Sequence, residues 1–81
     1  MSLKRLPPLG ALRAFEMAAR LGAFTSAAER LGVSQSAVTR QIAAVEDSLG
    51  VRLFHRGRRG VVLTPEGEAY YAEIAPAFEM I

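Results

Sequence analysis

The stretch that decides the fold reads Ser34-Gln-Ser-Ala-Val-Thr-Arg-Gln-Ile-Ala-Ala-Val-Glu-Asp-Ser-Leu49. Its large apolar residues recur with the period of an α-helix that buries one stripe, and they are Val38, Ile42, Val45 and Leu49. Ser34 is a good N-cap, so the pattern predicts a helix over residues 35–49. The free N–H groups and the positive end of its dipole then lie beside Gln35 and Ser36.

The face opposite the buried stripe is the one left for a partner. On a helical wheel it is centred on Ser36, Arg40, Ala43 and Asp47, with Thr39 on its flank. The first half of this face is small, hydrogen-bonding or cationic, and the acids come only in the second half. This distribution favours contact between the N-terminal half and a polyanion. We interpret the helix as one that enters the major groove of DNA.

Composition and charge narrow the function classes. The 81 residues suffice for one small domain with a thin core. The absence of cysteine excludes a disulfide framework and a thiolate metal site. We expect a cytoplasmic protein, since no apolar run approaches the roughly 18 residues of a membrane span.

The charges are divided unevenly along the chain. Residues 1–64 hold all ten Lys and Arg and four acids, a net charge of +6, whereas residues 65–81 hold four Glu and no base, a net charge of −4. This asymmetry indicates a basic body that meets an anion. A chance split in a short chain is the alternative.

Two shorter helices are predicted before the central one. Pro7-Pro8 suits a helix start, and an apolar stripe continues to Gly22, which predicts a first helix over roughly 8–20. A brief second helix is expected to be capped by Thr25 or Ser26 and to end at Gly32. The Thr25 and Ser26 hydroxyls are also candidates to hold a DNA phosphate, although capping is the simpler role.

A short turn joins the second helix to the central one. Gly32-Val33-Ser34 provides a three- or four-residue connection that includes a glycine, which is the helix-turn-helix arrangement. We expect Val33 to point inward and to fix the crossing of the two helices.

A hairpin is predicted after Gly50. Strand-like runs flank Arg56-Gly-Arg-Arg-Gly60, and we expect residues 52–55 to pair with residues 61–64. Arg58 and Arg59 at a glycine-flanked tip are suited to phosphates or to a narrow minor groove. A solvated turn is the alternative. His55 is the only histidine, which makes a metal site or a catalytic dyad implausible.

The C-terminal segment predicts a helix with more apolar surface than one small body covers. Thr64-Pro65-Glu66 is a helix start, and Pro76 is expected to kink or interrupt the helix. The excess surface indicates pairing with a second copy of the chain, and packing of the whole face on the chain's own core is the alternative. The candidate dimerisation residues are Tyr70, Tyr71, Ile74, Phe78 and Ile81.

Three co-linear strings resemble the N-terminal DNA-binding domain of LysR-type transcriptional regulators. They are Ala27-Ala-Glu-Arg-Leu-Gly-Val-Ser-Gln-Ser-Ala-Val-Thr-Arg-Gln-Ile42, Val45-Glu-Asp-Ser-Leu-Gly-Val-Arg-Leu-Phe-His-Arg56 and Leu63-Thr-Pro-Glu-Gly67. The resemblance runs from about residue 6 to residue 81 and is nearest to the glycine-cleavage-activator subgroup.

The resemblance implies a mainly α, winged helix-turn-helix fold: a three-helix core and a β-hairpin wing over residues 1–64, then a linker helix over residues 65–81. That helix would form a homodimer, and a tetramer is possible in a full-length protein. It also implies that a small-molecule effector would bind only through a C-terminal domain that this sequence does not include.

By motif position, the resemblance places Gln35, Ser36, Thr39 and Arg40 where the family reads base edges and neighbouring phosphates, and Arg56 and Arg59 on its wing. Many members have proline at the position of Ser36 and serine at that of Thr39, which leaves the base preference open. With the capping and tip residues, the DNA-binding candidates are Thr25, Ser26, Ser34, Gln35, Ser36, Thr39, Arg40, Arg56, Arg58 and Arg59.

Other function classes fit less well. A single histidine, no cysteine and no glycine-rich phosphate loop argue against an enzyme, and no cofactor is expected. A winged helix that docks an acidic protein surface remains an alternative to DNA binding. A molybdate-responsive regulator with a similar winged domain is another possibility within DNA binding.

Overall fold

Four helices and one β-hairpin make up the computed structural model, which describes residues 8–57 and 60–80. In chain order the elements are α1 (Leu9–Leu21), α2 (Phe24–Leu31), α3 (Gln35–Leu49), β1 (Phe54–Gly57), β2 (Gly60–Leu63) and α4 (Pro65–Glu79). The two strands pair antiparallel. The mainly helical, winged helix-turn-helix architecture predicted from the sequence is confirmed.

Phe15 is the centre of the core. Its side chain on α1 is fully buried, and its ring centroid lies 5.6 Å from that of Phe54 on β1 and 5.4 Å from that of Tyr70 on α4. Tyr71 contacts the same ring edge-on at 6.3 Å, and Phe24 of α2 packs on Phe54 at 5.4 Å. One aromatic cluster therefore joins α1, α2, the hairpin and α4.

The buried stripe of α3 packs against small residues. Val38, Ile42 and Val45 have no exposed surface, as the helical period predicted. The facing helices contribute buried alanines, which let the helix axes approach closely, and these are Ala11, Ala14, Ala18, Ala27 and Ala28.

Two apolar side chains were expected inside and are not. Val33 is 44% exposed, because the turn is held by its backbone N–H, which donates to the Ala28 carbonyl at 3.0 Å, and not by burial of its side chain. Leu49 is 36% exposed, because it is the last residue of α3 and lies where the helix leaves the core.

The cap of α2 also differs from the prediction. Ala23 is the N-cap and no side chain caps the helix, so Thr25 and Ser26 lie inside its first turn and neither is the cap. The N-cap position must be extended, and here that conformation falls on Ala23, two residues before Thr25. Phe24 thus begins the helix, and its ring enters the core.

The hairpin is displaced from the predicted ranges. Phe54 pairs with Leu63 and Gly57 with Gly60, so the first strand begins two residues later than expected. Arg52 and Leu53 lie outside the strand because their carbonyls accept hydrogen bonds from Thr64, from its hydroxyl at 2.7 Å and its N–H at 2.9 Å, respectively.

A hydrogen-bonded junction connects the end of α3 to the start of α4. The buried Glu46 carboxylate accepts the N–H of Leu53 at 2.8 Å. The Thr64 hydroxyl accepts the N–H of Gly67 at 2.9 Å, as expected of an N-cap. A Cβ at Gly67 would collide with the Leu53 carbonyl oxygen, so only glycine permits this approach.

Helix α4 continues past its internal proline. Pro65 occupies the first helical position, as predicted. Of the kink or interruption expected at Pro76, the interruption does not occur, because the helix runs to Glu79. Proline costs one backbone hydrogen bond. The packing of Tyr71 on Phe15 on one side of Pro76, and the position of Phe78 beside α1 on the other, hold the helix in spite of that loss.

The junction leads to a prediction about stability. Glu46→Ala leaves the buried Leu53 N–H without an acceptor, and we expect a loss of roughly 1–3 kcal/mol in the free energy of unfolding. Glu46→Gln keeps an acceptor oxygen and should lose less. Asp47→Ala alters the exposed neighbouring acid and should change stability by at most about 0.5 kcal/mol. Urea denaturation at one protein concentration measures all three, and equal losses at both positions would contradict the role of Glu46.

The caps give a second prediction. The Ser34 side chain caps α3, and Ser34→Ala should cost about 1 kcal/mol of stability. Thr25→Ala should lie within about 0.5 kcal/mol of the parent because the exposed Thr25 caps nothing. Thermal denaturation of the pair followed by circular dichroism tests this, and a larger loss at Thr25 would show that the cap of α2 has been misassigned.

Candidate nucleic-acid interface

The first two turns of α3 present a continuous polar surface. We call it the outward face of α3, and it consists of Ser34, Gln35, Ser36, Thr39 and Arg40. The Ser34 hydroxyl accepts the N–H of Ala37 at 3.1 Å and lies 3.2 Å from the hydroxyl oxygen of Ser36. Ser34, Gln35, Ser36 and Arg40 are exposed and Thr39 is half-buried, so the structure brings these predicted residues together.

Thr39 has part of its hydrogen-bonding capacity committed. Its hydroxyl donates to the Gln35 carbonyl at 3.1 Å, which fixes the side chain against the helix. The oxygen lone pairs and the methyl group remain for a partner. Thr39 therefore offers an acceptor and an apolar contact, whereas Gln35 offers an exposed amide with both donors and an acceptor.

Arg40 carries the positive charge of this face. Within residues 8–57 and 60–80, the ion pair is that of Arg20 with Glu16 at 3.0 Å, and the Arg20 guanidinium also contacts the Met17 sulfur. Arg40 is exposed and has no acidic partner in that part of the chain, so its charge is open to an external anion.

The first turn of α1 borders this face, a contact that was not predicted from the sequence. A shallow hollow lies between α1 and α3, and a Cβ at Gly10 would lie 3.8 Å from the amide nitrogen of Gln41. The signal was available in the small residues of α1, which permit close approach to α3. The hollow is lined by Pro8, Gly10, Ala11, Ala37, Arg40, Gln41 and Ala44.

Thr25 and Ser26 keep a position at the N-terminus of α2 without capping it. Thr25 is exposed and Ser26 is half-buried. The first turn of α2 has no acidic residue, so the positive end of its dipole is not neutralised from within that turn.

The structure describes both strands of the wing but little of its arginines. Arg58, Arg59 and the side chain of Arg56 are not among the described residues. His55 and Val62 face solvent, and Val62 is 67% exposed. Val61 donates its N–H to the carbonyl of Gly22, in the turn between α1 and α2, at 3.2 Å.

The candidate dimerisation residues divide into two groups. Tyr70 and Tyr71 pack on Phe15 of the chain's own core, while Ile74 and Phe78 are half-buried. Ile81 lies outside the described residues. Partial burial, and the nearby Glu73 carboxylate, raise the pKa of Tyr70, so its phenol is neutral at pH 7.

Beside Tyr70, an open groove follows α4. It carries apolar side chains and two acids, and it is lined by Leu49, Val51, Leu53, Glu66, Ala69, Tyr70 and Glu73. Its apolar rim is therefore partly exposed on the described surface.

The described residues show neither a metal-binding cluster nor a membrane span. They hold no group of three or more His, Cys, Asp or Glu side chains placed to bind a metal ion. None of their helices has the length and apolar character needed to cross a bilayer.

Comparison with known proteins adds close relatives. The chain is 51% identical over 78 residues to the glycine cleavage system transcriptional activator of Escherichia coli K12, an alignment that covers 96% of this chain and 26% of the activator. It is 50% identical over 76 residues to the regulator TrpI of Pseudomonas aeruginosa, with coverage of 94% and 26%. The chain thus spans about a quarter of the length of these relatives.

Solved structures show the same fold. The DNA-binding domain of CbnR in complex with DNA superposes with a TM-score of 0.84 at 38% identity, over 90% of this chain and 84% of that one. The DNA-binding domain of BenM bound to catB site 1 DNA gives a TM-score of 0.83 at 36% identity, over 89% and 80%.

A family model supplies the assignment. The model described as bacterial regulatory helix-turn-helix protein, lysR family, matches residues 9–68. That range runs from the start of α1 into the first turn of α4 and includes every described element of the winged domain. Its members are regulators and not enzymes, in agreement with the prediction from the sequence. The chain belongs to the lysR family of bacterial regulatory helix-turn-helix proteins.

Proposed function

We propose that this chain binds double-stranded DNA sequence-specifically, as part of a cytoplasmic transcriptional regulator, with α3 in the major groove. The observation that carries the proposal is the outward face of α3, where a capped helix N-terminus, exposed hydrogen-bonding side chains and the open charge of Arg40 lie together. CbnR and BenM, whose domains share this fold, are described in complexes with DNA.

The side chains of the outward face divide by role. Gln35 can form a bidentate pair with adenine, and Thr39 can contact a thymine methyl group while its oxygen accepts from a base edge. Ser36 adds a small hydroxyl beside them. Arg40 attracts phosphates irrespective of sequence. Ser34 contributes through the cap, which keeps the free N–H groups at the leading end of α3.

Phosphate contacts outside α3 complete the proposed interface. Thr25 and Ser26, at the uncapped start of α2, are placed to hold a backbone phosphate. Arg56, Arg58 and Arg59 of the wing supply further attraction to the backbone or the minor groove. These contacts set orientation and affinity, whereas Gln35 and Thr39 set base preference.

The proposed assembly is a homodimer. Residues 1–64 form the DNA-binding unit, and residues 65–81 form a linker helix that pairs with its copy through the apolar residues of α4. Two copies of α3 would then meet half-sites about one helical turn, roughly 10 base pairs, or a multiple of it apart. The alignment covers 26% of the glycine cleavage activator, and we propose that an effector-binding domain and any tetramer belong to a full-length protein of that size.

Base reading and charge attraction predict different mutant behaviour. Gln35→Ala should change the order of preference among duplexes, because one good bidentate contact discriminates by about 1–3 kcal/mol. Arg59→Ala should weaken binding to every duplex and flatten the dependence of affinity on salt. Competition binding of a selected site against random DNA at two salt concentrations measures both.

A uniform loss for Gln35→Ala would refute its base-reading role. Failure of the parent chain to shift any duplex, together with capture of an acidic protein, would favour the alternative in which the domain docks a protein surface.

The proposed dimer interface predicts that substitutions at two positions of α4 affect self-association differently. Ile74→Asp places a charge on the half-buried apolar side and should weaken self-association at least about tenfold, since an unpaired charge is costly to bury. Ala72→Asp, on the exposed side of the same helix, should leave it unchanged. Sedimentation velocity measures the association and circular dichroism verifies the fold. Equal effects of the two variants would contradict this interface.

A further inference from the structure

The wing is attached to the body at its free end as well as at its base. At the base, Phe54 of β1 is buried between Phe15 and Phe24. Near the tip, Val61 of β2 directs its N–H away from the hairpin and donates it to the Gly22 carbonyl at 3.2 Å. The first attachment is apolar. In the second, the partly buried Val61 side chain packs against the core and its N–H forms a backbone hydrogen bond to the turn between α1 and α2.

Gly60 makes the second attachment possible. Its φ is +126°, and a Cβ there would lie only 2.6 Å from the Gly22 carbonyl oxygen, nearer than real Cβ atoms approach an oxygen. The same carbonyl accepts the N–H of the next residue, Val61. Any side chain at residue 60 would therefore push β2 away from the turn and stretch that hydrogen bond.

Its cross-strand partner Gly57 provides a contrast. The two glycines face each other at the end of the ladder, and both flank Arg58-Arg59 in the sequence. A Cβ at Gly57 would meet nothing nearer than the Gly60 carbonyl oxygen at 3.8 Å, an ordinary contact, and its φ is not positive. Of these two glycines, only Gly60 is in close contact with the body of the domain.

We infer that Gly60 is a positioning residue for DNA binding, because it lets β2 be held at a fixed place relative to the helices through the Gly22 carbonyl. The inference rests on the proposed function. Arg58 and Arg59, the charges proposed to attract DNA, directly precede Gly60 in the sequence. A wing released at Gly60 keeps its apolar base but must be ordered when DNA binds, and that ordering opposes binding.

The test compares Gly60→Ala with Gly57→Ala in the full 81-residue chain. The duplex probes are one selected site and one random sequence, each at two salt concentrations. Gly60→Ala should weaken binding to both duplexes about tenfold and flatten the salt dependence while the ratio between the duplexes stays constant. Gly57→Ala should bind within about twofold of the parent. Equal behaviour of the two variants would overturn the inference.

A second variant removes the hydrogen bond without adding a Cβ at residue 60. Val61→Pro deletes the outward N–H, replaces the core-packed valine side chain and places the ring Cδ where that hydrogen pointed, against the Gly22 carbonyl, so it should reproduce the loss seen for Gly60→Ala. In both variants, hydrogen exchange should show α1 and α3 amides as protected as in the parent. In Gly60→Ala, the Val61 amide should exchange faster.

The remaining outcomes are decisive. A Val61 amide that stays protected while Gly60→Ala loses affinity would contradict anchoring. Loss of the helical circular dichroism signal in both variants would also contradict it, because the contact would then be needed for folding and not for wing placement. If the parent chain binds neither duplex, the proposed function itself is wrong, a result distinct from equal binding by parent and variants.

Discussion

The hydrogen bond from the Leu53 N–H to the buried Glu46 carboxylate is the interaction on which the arrangement of helices depends. Its acceptor, Glu46, lies in the last turn of α3. The carbonyl of its donor residue, Leu53, accepts the N–H of Thr64, which is the N-cap of α4. Thr64 in turn accepts the N–H of Gly67. Because each of these groups is buried and paired, the direction of α4 is tied to that of α3 by bonds that are costly to break. The relative placement of two reading helices in a dimer would follow from this junction.

The small core contains few large side chains. At Phe15, α1, the hairpin and α4 meet, and the helices around it are lined mainly by alanine. Small residues let the backbones approach, so the outer face of α3 and the first turn of α1 become neighbours. The shape of the proposed DNA-binding surface thus depends on how closely the helices pack, in addition to which polar residues they carry.

The sequence predicted the parts of the fold that local chemistry determines. The period of α3, its Ser34 cap and the glycines that end the helices could be predicted because each depends on residues within one or two turns. The start of α2 was placed wrongly because hydroxyl residues suggested a cap, whereas burial of Phe24 fixed the helix start earlier.

Other features depend on contacts between distant segments. The strand boundaries were displaced because Arg52 and Leu53 bond to Thr64, and the anchor of Val61 on Gly22 has no local signature. Ser36, Arg40 and Asp47 of the predicted outward face are exposed and Ala43 is half-buried, but the border of α3 with the first turn of α1 was not predicted. Periodicity predicts the direction of a side chain around its own helix, but it does not predict which other helix lies beside that side chain.

The residues that face outward on α3 and those that pack inward are separate sets. Val38, Ile42 and Val45 are fully buried, whereas Gln35, Ser36 and Arg40 are exposed. Substitutions at these three exposed positions are therefore expected to leave the free energy of unfolding nearly unchanged. Under the proposed function, the DNA sequence that such a domain recognises could change one residue at a time without an unstable intermediate, because the proposed reading residues are not the residues that hold the fold.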